Sequence, residues 1–520
     1  MTQTPGEESL LSFDAFIRHW AHERPDAPAL EEGVESATFA ALDRRTRQVI
    51  TLLAEFGVGK GDRVAWLGKN AKTYFELFYA CGRVGAVMVP IGWRLAAPEV
   101  RYILEDTGAK ALFAGEGCEE AAAKAVDGTA SPPPVIPVGE ARARLEASEP
   151  ADFVPAGPDD AVLQLYTSGT TGNPKGAVLS NRNLFALRVP AAEADEPWSH
   201  WDDDEAILVA MPCAHIGGTG LGIMALAGGV RAIVQPEFTP EGVLTAFEKG
   251  VTRMFIVPAA LQMVIQHPRA ATTDFSGVKY VLYGAAPIPL ELLREAVRMI
   301  PAAGFLQCYG MTETTGTVAV LPPADHDLAG NRRMRSAGRA VPGAELRVVG
   351  EDGAELPCGE VGELIVRSPS NMVGYWNLHA ATRSALVDGW MHTGDAATMD
   401  EDGYVYIQDR MKDMIISGGE NIYPAQVESA IYGHPAVAEV AVIGVPDDTW
   451  GEAVKACVVP RPGASVDIDS IVEWTRERLA GFKVPRSVDV IQALPRNASG
   501  KILRRELRAP YWEGRERQVN

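Results

Sequence analysis

Cysteine is scarce and scattered in this chain. Cys81, Cys118, Cys213, Cys308, Cys358 and Cys457 stand singly, with no Cys-x-x-Cys pair. Neither a zinc ribbon nor a disulfide scaffold is therefore indicated; most of the six are expected to be small buried apolar residues. Positive charge is also short. Against 68 Asp and Glu stand 48 Lys and Arg, a net charge of −20, which argues against nucleic acid or an anionic membrane as partner. Residues 411–520 hold 14 basic and 15 acidic side chains, so nearly all the excess acid lies in residues 1–410. The basic stretch from Arg476 to Arg508 reads equally as a solvated face or as a meeting place for phosphates. No basic segment followed by an apolar run opens the chain, so residues 1–12 do not read as a signal peptide. Residues 206–230 are uncharged if His215 is neutral, yet they contain Pro212, His215 and six glycines. They read as a buried strand, loop and helix, not as a membrane span. A reducing, cytoplasmic setting is the expectation. The 520 residues imply two or more domains, and 47% hydrophobic content is ordinary for a packed globular protein.

What is present is concentrated in one stretch: Tyr166-Thr167-Ser168-Gly169-Thr170-Thr171-Gly172-Asn173-Pro174-Lys175-Gly176. Its glycines let backbone N–H groups turn toward an anion, its hydroxyls add donors, and Lys175 adds mobile charge. Such a loop suits a polyphosphate. It is not a Walker A loop, because Lys175 follows Pro174 and precedes Gly176 where that motif needs Gly-Lys-Ser/Thr. Apolar runs on both sides, 161–165 and 177–179, pin it between buried strands.

The rest alternates strand and helix. Residues 63–67, 86–90, 206–211, 232–234, 254–257 and 280–283 read as strands, and 73–84 as a helix. Short apolar strands buried on both faces imply parallel sheets in an α/β domain. From about Val341 the texture changes to hairpins, with 345–349 and 363–366 flanking an Asp352-Gly353 turn. After Arg410 comes a small α+β unit: helices near 425–432 and 468–479, strands near 437–445 and 454–459. The Pro-rich run 131–137 reads as a surface loop.

Residues 167–176 resemble the phosphate loop of the adenylate-forming superfamily, which includes acyl-CoA synthetases, luciferases and peptide-synthetase adenylation domains. Four later motifs match in the same order: Tyr309-Gly310-Met311-Thr312-Glu313, Trp390-Met391-His392-Thr393-Gly394-Asp395, Asp409-Arg410-Met411-Lys412-Asp413 and Pro495-Arg496-Asn497-Ala498-Ser499-Gly500-Lys501. The terminal 511–520 tail resembles that of bacterial fatty-acid–CoA ligases. Gly92-Trp93-Arg94 departs from the family, with glycine where many relatives have asparagine. The resemblance implies a large N-terminal domain (1–410) of parallel α/β subdomains plus a β-rich subdomain, and a small mobile α+β C-terminal domain (411–520).

It also implies roles. Thr167, Ser168, Gly169, Thr170, Thr171, Gly172 and Lys175 would hold ATP phosphates. Glu313, with Thr170, would bind Mg2+, and Thr312 would contact the α-phosphate. Tyr309 would stack on adenine, and Gly284, Ala285 and Ala286 would line the adenine and acyl sites. Asp395, with Arg410 as companion, would anchor the ribose; a carboxylate accepts two hydroxyl hydrogen bonds at once. Lys501 would be the catalytic lysine, bridging the substrate carboxylate and the α-phosphate. Coenzyme A would then attack after the small domain rotates about Lys412, presenting Gly418 and Gly419 to the pantetheine arm. The Pro495 to Lys501 spacing also resembles sites where such lysines are acetylated.

His215 stands where relatives place an aromatic or histidine beside the carboxylate; as a lone residue it reads equally as a core histidine. No aspartate occurs from Leu208 to Val230, which argues against an amino-acid substrate. Gly217, Gly218, Gly220, Val257, Ala259, Gly284, Ala285, Gly310 and Met311 would wall a small apolar pocket for a fatty or other hydrophobic acid. The reading is an acyl-CoA synthetase acting on a small-molecule carboxylic acid, ATP and CoA. A carrier-protein-loading acyl-AMP ligase and an aryl- or phenylpropanoid-CoA ligase are the alternatives. A luciferase-like oxygenase and a non-enzymatic acyl-adenylate sensor are weaker rivals, since Glu313, Asp395 and Lys501 are all present. A homodimer stays open.

Overall fold

The computed structural model describes residues 10–167, 173–496 and 502–513. Its larger part is built on two sheets. One has seven strands in the order Gly374–Tyr375, Lys175–Ser180, Ala161–Thr167, Val87–Gly92, Arg63–Gly68, Ala111–Ala114, Val135–Pro137. The other has nine: Arg339–Ala340, Gly316–Leu321, Gly304–Met311, Tyr280–Gly284, Arg253–Ile256, Ala206–Val209, Arg231–Val234, Pro28–Glu32, Glu35–Thr38. Central neighbours run parallel, and antiparallel pairs occur only toward the sheet ends. Strands such as Ala111–Ala114 are buried along their whole length, which explains their unbroken apolar sequence.

The helix Lys72–Val84 is buried from Thr73 to Arg83, and one apolar cluster runs through it from the strands of one sheet to those of the other. It meets the helix Ile216–Gly228 at close quarters. A Cβ on Gly222 would lie 2.1 Å from the Phe75 ring, so glycine sets that distance, and Tyr79 Oη donates to the Gly222 carbonyl at 2.7 Å. Arg83, 2% exposed, pairs with Asp14 and Asp43, each at 2.8 Å. Removing Arg83 would leave the buried Asp14 carboxylate without this partner, at about 3–5 kcal/mol.

A third, antiparallel sheet holds Glu345–Val349, Gly362–Arg367, Trp390–Met399 and Leu386–Val387, with Val405–Arg410 paired to Trp390–Met399. The smaller C-terminal domain carries a fourth: Glu420–Ile422, Ile415–Ser417, Gly451–Pro460 and Val437–Asp447, with Ser487–Val490 parallel to Gly451–Pro460. The helices Pro424–Tyr432, Ile468–Arg476 and Arg504–Trp512 belong to it, and its apolar clusters are its own.

These elements follow the sequence pattern closely, with one correction. Val135–Pro137, read as surface loop, is an edge strand parallel to Ala111–Ala114. Its Ile136 is buried, and an edge position tolerates flanking prolines that lack a donor. Five of the six cysteines are buried and Cys358 is exposed. Among the described residues no helix is long and apolar enough to cross a membrane.

Candidate active site

The hairpin Ala161–Thr167/Lys175–Ser180 sets Thr167 opposite Lys175. The intervening Ser168, Gly169, Thr170, Thr171 and Gly172 lie outside the described residues. The hairpin is braced from outside. Tyr102 Oη donates to the Pro174 carbonyl at 3.2 Å, and Tyr166 Oη donates to Asp106. The Trp376 amide donates to the Gly176 carbonyl at 2.8 Å, and its indole N–H to the Asp106 carbonyl at 2.9 Å. A Cβ on Gly176 would meet the Gln164 amide at 2.5 Å, so this glycine serves the hairpin's own packing. Lys175 Nζ lies 5.1 Å from the centre of the Tyr375 ring.

The strand Gly304–Met311 ends in one 3-10 turn, Thr312–Thr314, followed by Thr315 at φ 58° and Gly316 at φ 97°. Thr314 Oγ1 accepts from the Met311 amide at 3.0 Å and donates to the Gly316 carbonyl at 2.8 Å, which locks the reversal. A Cβ on Gly310 would strike the Gly316 carbonyl oxygen at 1.7 Å, so glycine is required there. Thr312 is half-buried on this turn. The turn buries Glu313 to 5% exposure. Its Oε1 accepts from Thr167 Oγ1 at 3.2 Å and from Tyr375 Oη at 2.9 Å. Burial and the Glu313 carboxylate push the Tyr375 phenol up, so it stays a donor. Three segments, more than 60 residues apart in sequence, meet at one carboxylate. Tyr375 was missed from the sequence; Gly-Tyr-Trp carries no recognisable motif until its position is known.

The Tyr309 ring belongs to the same strand. Its Oη donates to Asp395 Oδ2 at 2.6 Å, and burial, with Asp395 beside it, pushes the phenol well up. Asp395 Oδ1 pairs with Arg410 Nε at 2.7 Å, and Arg410 Nη1 donates to the Thr393 carbonyl at 3.2 Å. Burial works against the Arg410 charge, and Asp395, Tyr309 and Glu313 outweigh it. The Thr393–Asp395 bend is fixed in turn: Thr393 Oγ1 donates to the Leu364 carbonyl at 2.6 Å, and the Gly394 amide donates to Glu363 at 2.9 Å. Tyr309, Asp395 and Arg410, three separate assignments in the sequence, thus form one chain of contacts.

On the other side, Gly284 ends a strand, and a Cβ there would strike the Cys308 carbonyl oxygen at 2.1 Å. Ala285 follows at φ 63°, a strained conformation for a non-glycine residue, and Ala285 and Ala286 are exposed. His215 precedes the helix Ile216–Gly228. Its Nε2 is buried with no hydrogen-bond partner among the described residues, and burial lowers its pKa, so it is neutral at neutral pH. Gly218 is filled behind by the Pro212 and Met211 carbonyls, 2.3 and 2.4 Å from a Cβ. It serves the loop-on-helix packing.

The apolar space lies further along. A cavity of about 250 Å³ is lined by Leu184, Leu187, Ala191, Trp198, Met224, Thr317, Val320 and Val341, with Arg188, Glu196 and Arg339 at its polar edge. A second, of about 150 Å³, shares Trp198, Met224, Thr317 and Val320 with it and adds Leu282, Leu306 and Cys308. None of the nine residues read from the sequence as pocket wall lines either. Met224 shares the helix Ile216–Gly228 with Gly217, Gly218 and Gly220, Leu282 shares a strand with Gly284, and Leu306 and Cys308 share one with Gly310 and Met311; Thr317 and Val320 belong to the strand Gly316–Leu321, where none of the nine lies.

In the small domain, Gly418 and Gly419 (φ 62° and 84°) form the two-residue turn between Ile415–Ser417 and Glu420–Ile422, as a primed hairpin turn requires. A Cβ on Gly418 would meet Trp450 at 2.5 Å. Trp450 is exposed, with Arg486 5.0 Å from its ring, and exposed Phe482 carries Lys483 at 5.5 Å. The Lys412 backbone lies in the single turn Met411–Asp413; its side chain, and Lys501 entirely, lie outside the described residues.

Residues 17–376 match the family described as AMP-binding enzyme, and residues 426–501 match its C-terminal domain. The chain is 40% identical, over 99% of its own length and 99% of the relative's, to a fatty acid–[acyl-carrier-protein] ligase, ScoC, of Streptomyces coeruleorubidus. It is 43% identical, over 94% and 96% of the two lengths, to a feruloyl-CoA synthase of Amycolatopsis sp. Among solved structures it is similar to a Mycobacterium tuberculosis fatty acyl CoA synthetase at TM-score 0.76 and 35% identity, covering 96% of this chain and 98% of that one.

Proposed function

The chain belongs to the AMP-binding enzyme family, and on that premise we propose how its residues divide the work of an ATP-dependent acyl-adenylate-forming acid–thiol ligase. The observation that carries the reading is the junction at Glu313, where the phosphate-loop hairpin, the Thr312–Thr314 turn and Tyr375 meet beside Tyr309, Asp395 and Arg410. In the first step a carboxylate oxygen attacks the α-phosphorus of ATP. The bond to the bridging oxygen breaks and pyrophosphate leaves. In the second, a thiolate sulfur attacks the acyl carbonyl carbon and AMP leaves.

Both first-step reactants are anions, so charge must be neutralised in place. Lys175, Thr167 and the residues 168–172 hold the phosphates. Asp395 and Arg410 hold the ribose, with the Tyr309 ring along the adenine. Lys501 neutralises the developing charge between the carboxylate and the α-phosphate. A buried carboxylate flanked by hydroxyls fits Mg2+, which takes one or two carboxylates together with phosphate oxygens and water. Glu313, with Thr170, would hold the ion together with phosphate oxygens; when bound, it supplies charge neutralisation at the phosphates.

The substrate is a hydrophobic carboxylic acid. Neutral His215, whose buried Nε2 has no partner among the described residues, is suited to donate or accept at the carboxylate. The cavities along its helix are apolar, which suits an alkyl chain or a ring. The acceptor is CoA. Trp450 with Arg486, beside the Gly418–Gly419 turn, suits an adenine ring and phosphates. The small domain starts after Arg410 and turns about Lys412, in a cytoplasmic enzyme. A carrier protein's pantetheine is the second reading, favoured by the 40% identity to a fatty acid–[acyl-carrier-protein] ligase across the full length.

A panel of alkyl and aryl acids, assayed for pyrophosphate release alone and for AMP release with CoA or with a phosphopantetheinylated carrier, tests the reading. AMP release that requires CoA and prefers apolar acids is expected. Activation of amino acids, or no adenylate with any acid, overturns it.

A further inference from the structure

Asp409 and Arg410 are neighbours on the strand Val405–Arg410, and adjacent strand residues point to opposite faces. Arg410 reaches back to Asp395 and Thr393 of the third sheet. Asp409 points the other way, into a socket made by the small domain. Its Oδ2 accepts from the Ala425 amide at 2.8 Å, at the start of the helix Pro424–Tyr432. There the exposed N–H groups of the first turn favour an anion. Its Oδ1 accepts from the Arg410 amide at 2.7 Å and lies 3.7 Å from Arg504 Nη1. Arg504 is fixed in turn, donating from Nη2 to both Glu428 oxygens at 2.8 Å and lying 3.6 Å from Asp413. Glu428 also accepts from the Val442 amide at 2.8 Å. One guanidinium therefore ties the third sheet's last strand, the last residue of the Met411–Asp413 turn and two helices of the small domain. The Asp409 side chain is 4% exposed.

We propose that Asp409, seated against Ala425 and Arg504, is a positioning residue that pins the small domain and sets the balance between adenylation and thioester formation. Rotation after Arg410 would draw the Ala425 amide and Arg504 away from Asp409. Rotation before Asp409 would break its pairing opposite Ala396. Either way the socket stabilises one domain arrangement over another, and only such a difference can shift a conformational equilibrium. None of the socket residues is required to touch ATP, acid or CoA.

The inference rests on the rotation read under the proposed function, so both are measured together. Rates of adenylate formation and of thioester formation from supplied acyl-adenylate are compared in wild type, Lys501→Ala, Asp409→Ala and Arg504→Ala. Asp409→Asn and Arg504→Lys serve as milder variants should the alanines not fold. The socket variants should change the ratio of the two rates by about five-fold or more, and Arg504→Lys should restore part of it by keeping the charge. Trypsin cutting after Arg410 or Lys412 gives a readout without turnover and should speed up in Asp409→Asn. An unchanged ratio and unchanged cutting in folded socket variants overturn the pin. Equal loss of both half-reactions in Lys501→Ala overturns the rotation itself, whatever the socket variants do.

Discussion

The proposed nucleotide side and the proposed acyl side of this site are built differently. The first is a set of short polar segments whose residues are named by local motifs: Thr167 and Lys175 on a hairpin, Glu313 on a single turn, Asp395 and Arg410 on adjacent strands. Thr167 bonds to Glu313, and Asp395 takes both the Tyr309 hydroxyl and the Arg410 guanidinium, each at a definite length and direction. The second is a space between a helix and the sheet it covers, lined by Met224, Leu282, Thr317 and Val320, none of them in a motif. Phosphate and ribose present fixed charges and hydroxyls, so recognition needs particular atoms at particular places. A hydrocarbon asks only for volume and apolar walls, and many residue combinations supply those. Specificity is therefore free to change on one side while chemistry stays constant on the other.

The sharpest test of that division is Lys501→Ala. Adenylation should fall by about 10²–10³-fold, the usual loss when one electrostatic group is removed from a transition state. Thioester formation from supplied acyl-adenylate should be largely retained in single-turnover assays. Next comes Tyr309→Phe, which removes the hydroxyl that donates to Asp395 Oδ2. Losing a hydrogen bond to a charged group, about 1.5 kcal/mol or more, should raise the KM for ATP roughly ten-fold. The order of preference among acids should not move; a changed acid preference would join the two sides that the comparison separates.

A smaller effect is expected from Met224→Trp, which fills the cavity. It should disfavour longer or bulkier acids by about four-fold for each methylene excluded, following roughly 0.8 kcal/mol per CH2. The KM for ATP should stay at its wild-type value, and kcat/KM across a homologous acid series reads both. An unaltered series would mean the cavity does not receive the acyl group.

The smallest effect lies outside both sides, at Asp409. Burial, with Glu428 adding to it and Arg504 opposing, raises its carboxyl from 3.8 to about 6. The folded state then holds that proton more tightly than the unfolded chain does. Stability from this group is full below about 3.8 and is lost as pH rises through about 6. Wild type should therefore lose thermal stability relative to Asp409→Asn across that window, with the difference constant above it. A difference that is flat throughout would show that Asp409 does not carry the shift.

Much of the molecule was legible in advance. The parallel strands show as apolar runs because both their faces are covered, and the change to hairpins after Val341 shows as alternation because one face is not. Val135–Pro137 was misread because prolines usually signal loops, and only pairing with Ala111–Ala114 reveals an edge strand. His215 reads two ways in the sequence, and its Nε2 is buried with no hydrogen-bond partner among the described residues, a fact no local pattern carries. At Gly218 the Pro212 and Met211 carbonyls occupy the space where a side chain would be, which only the packed structure shows.

By itself the sequence carried the motifs from which the proposed chemistry is read: the glycine- and hydroxyl-rich stretch 166–176, Glu313, Asp395 and Lys501, each within a few consecutive residues whose order matches the family. Tertiary structure alone decided that Tyr375 closes on Glu313, that Tyr309, Asp395 and Arg410 form one chain, and that the apolar space lies along the helix beyond His215. It also decided that Asp409 faces the small domain while Arg410 faces the large one. These depend on how separate elements pack. Packing is settled by volume and burial summed over many residues, which no short stretch of sequence contains.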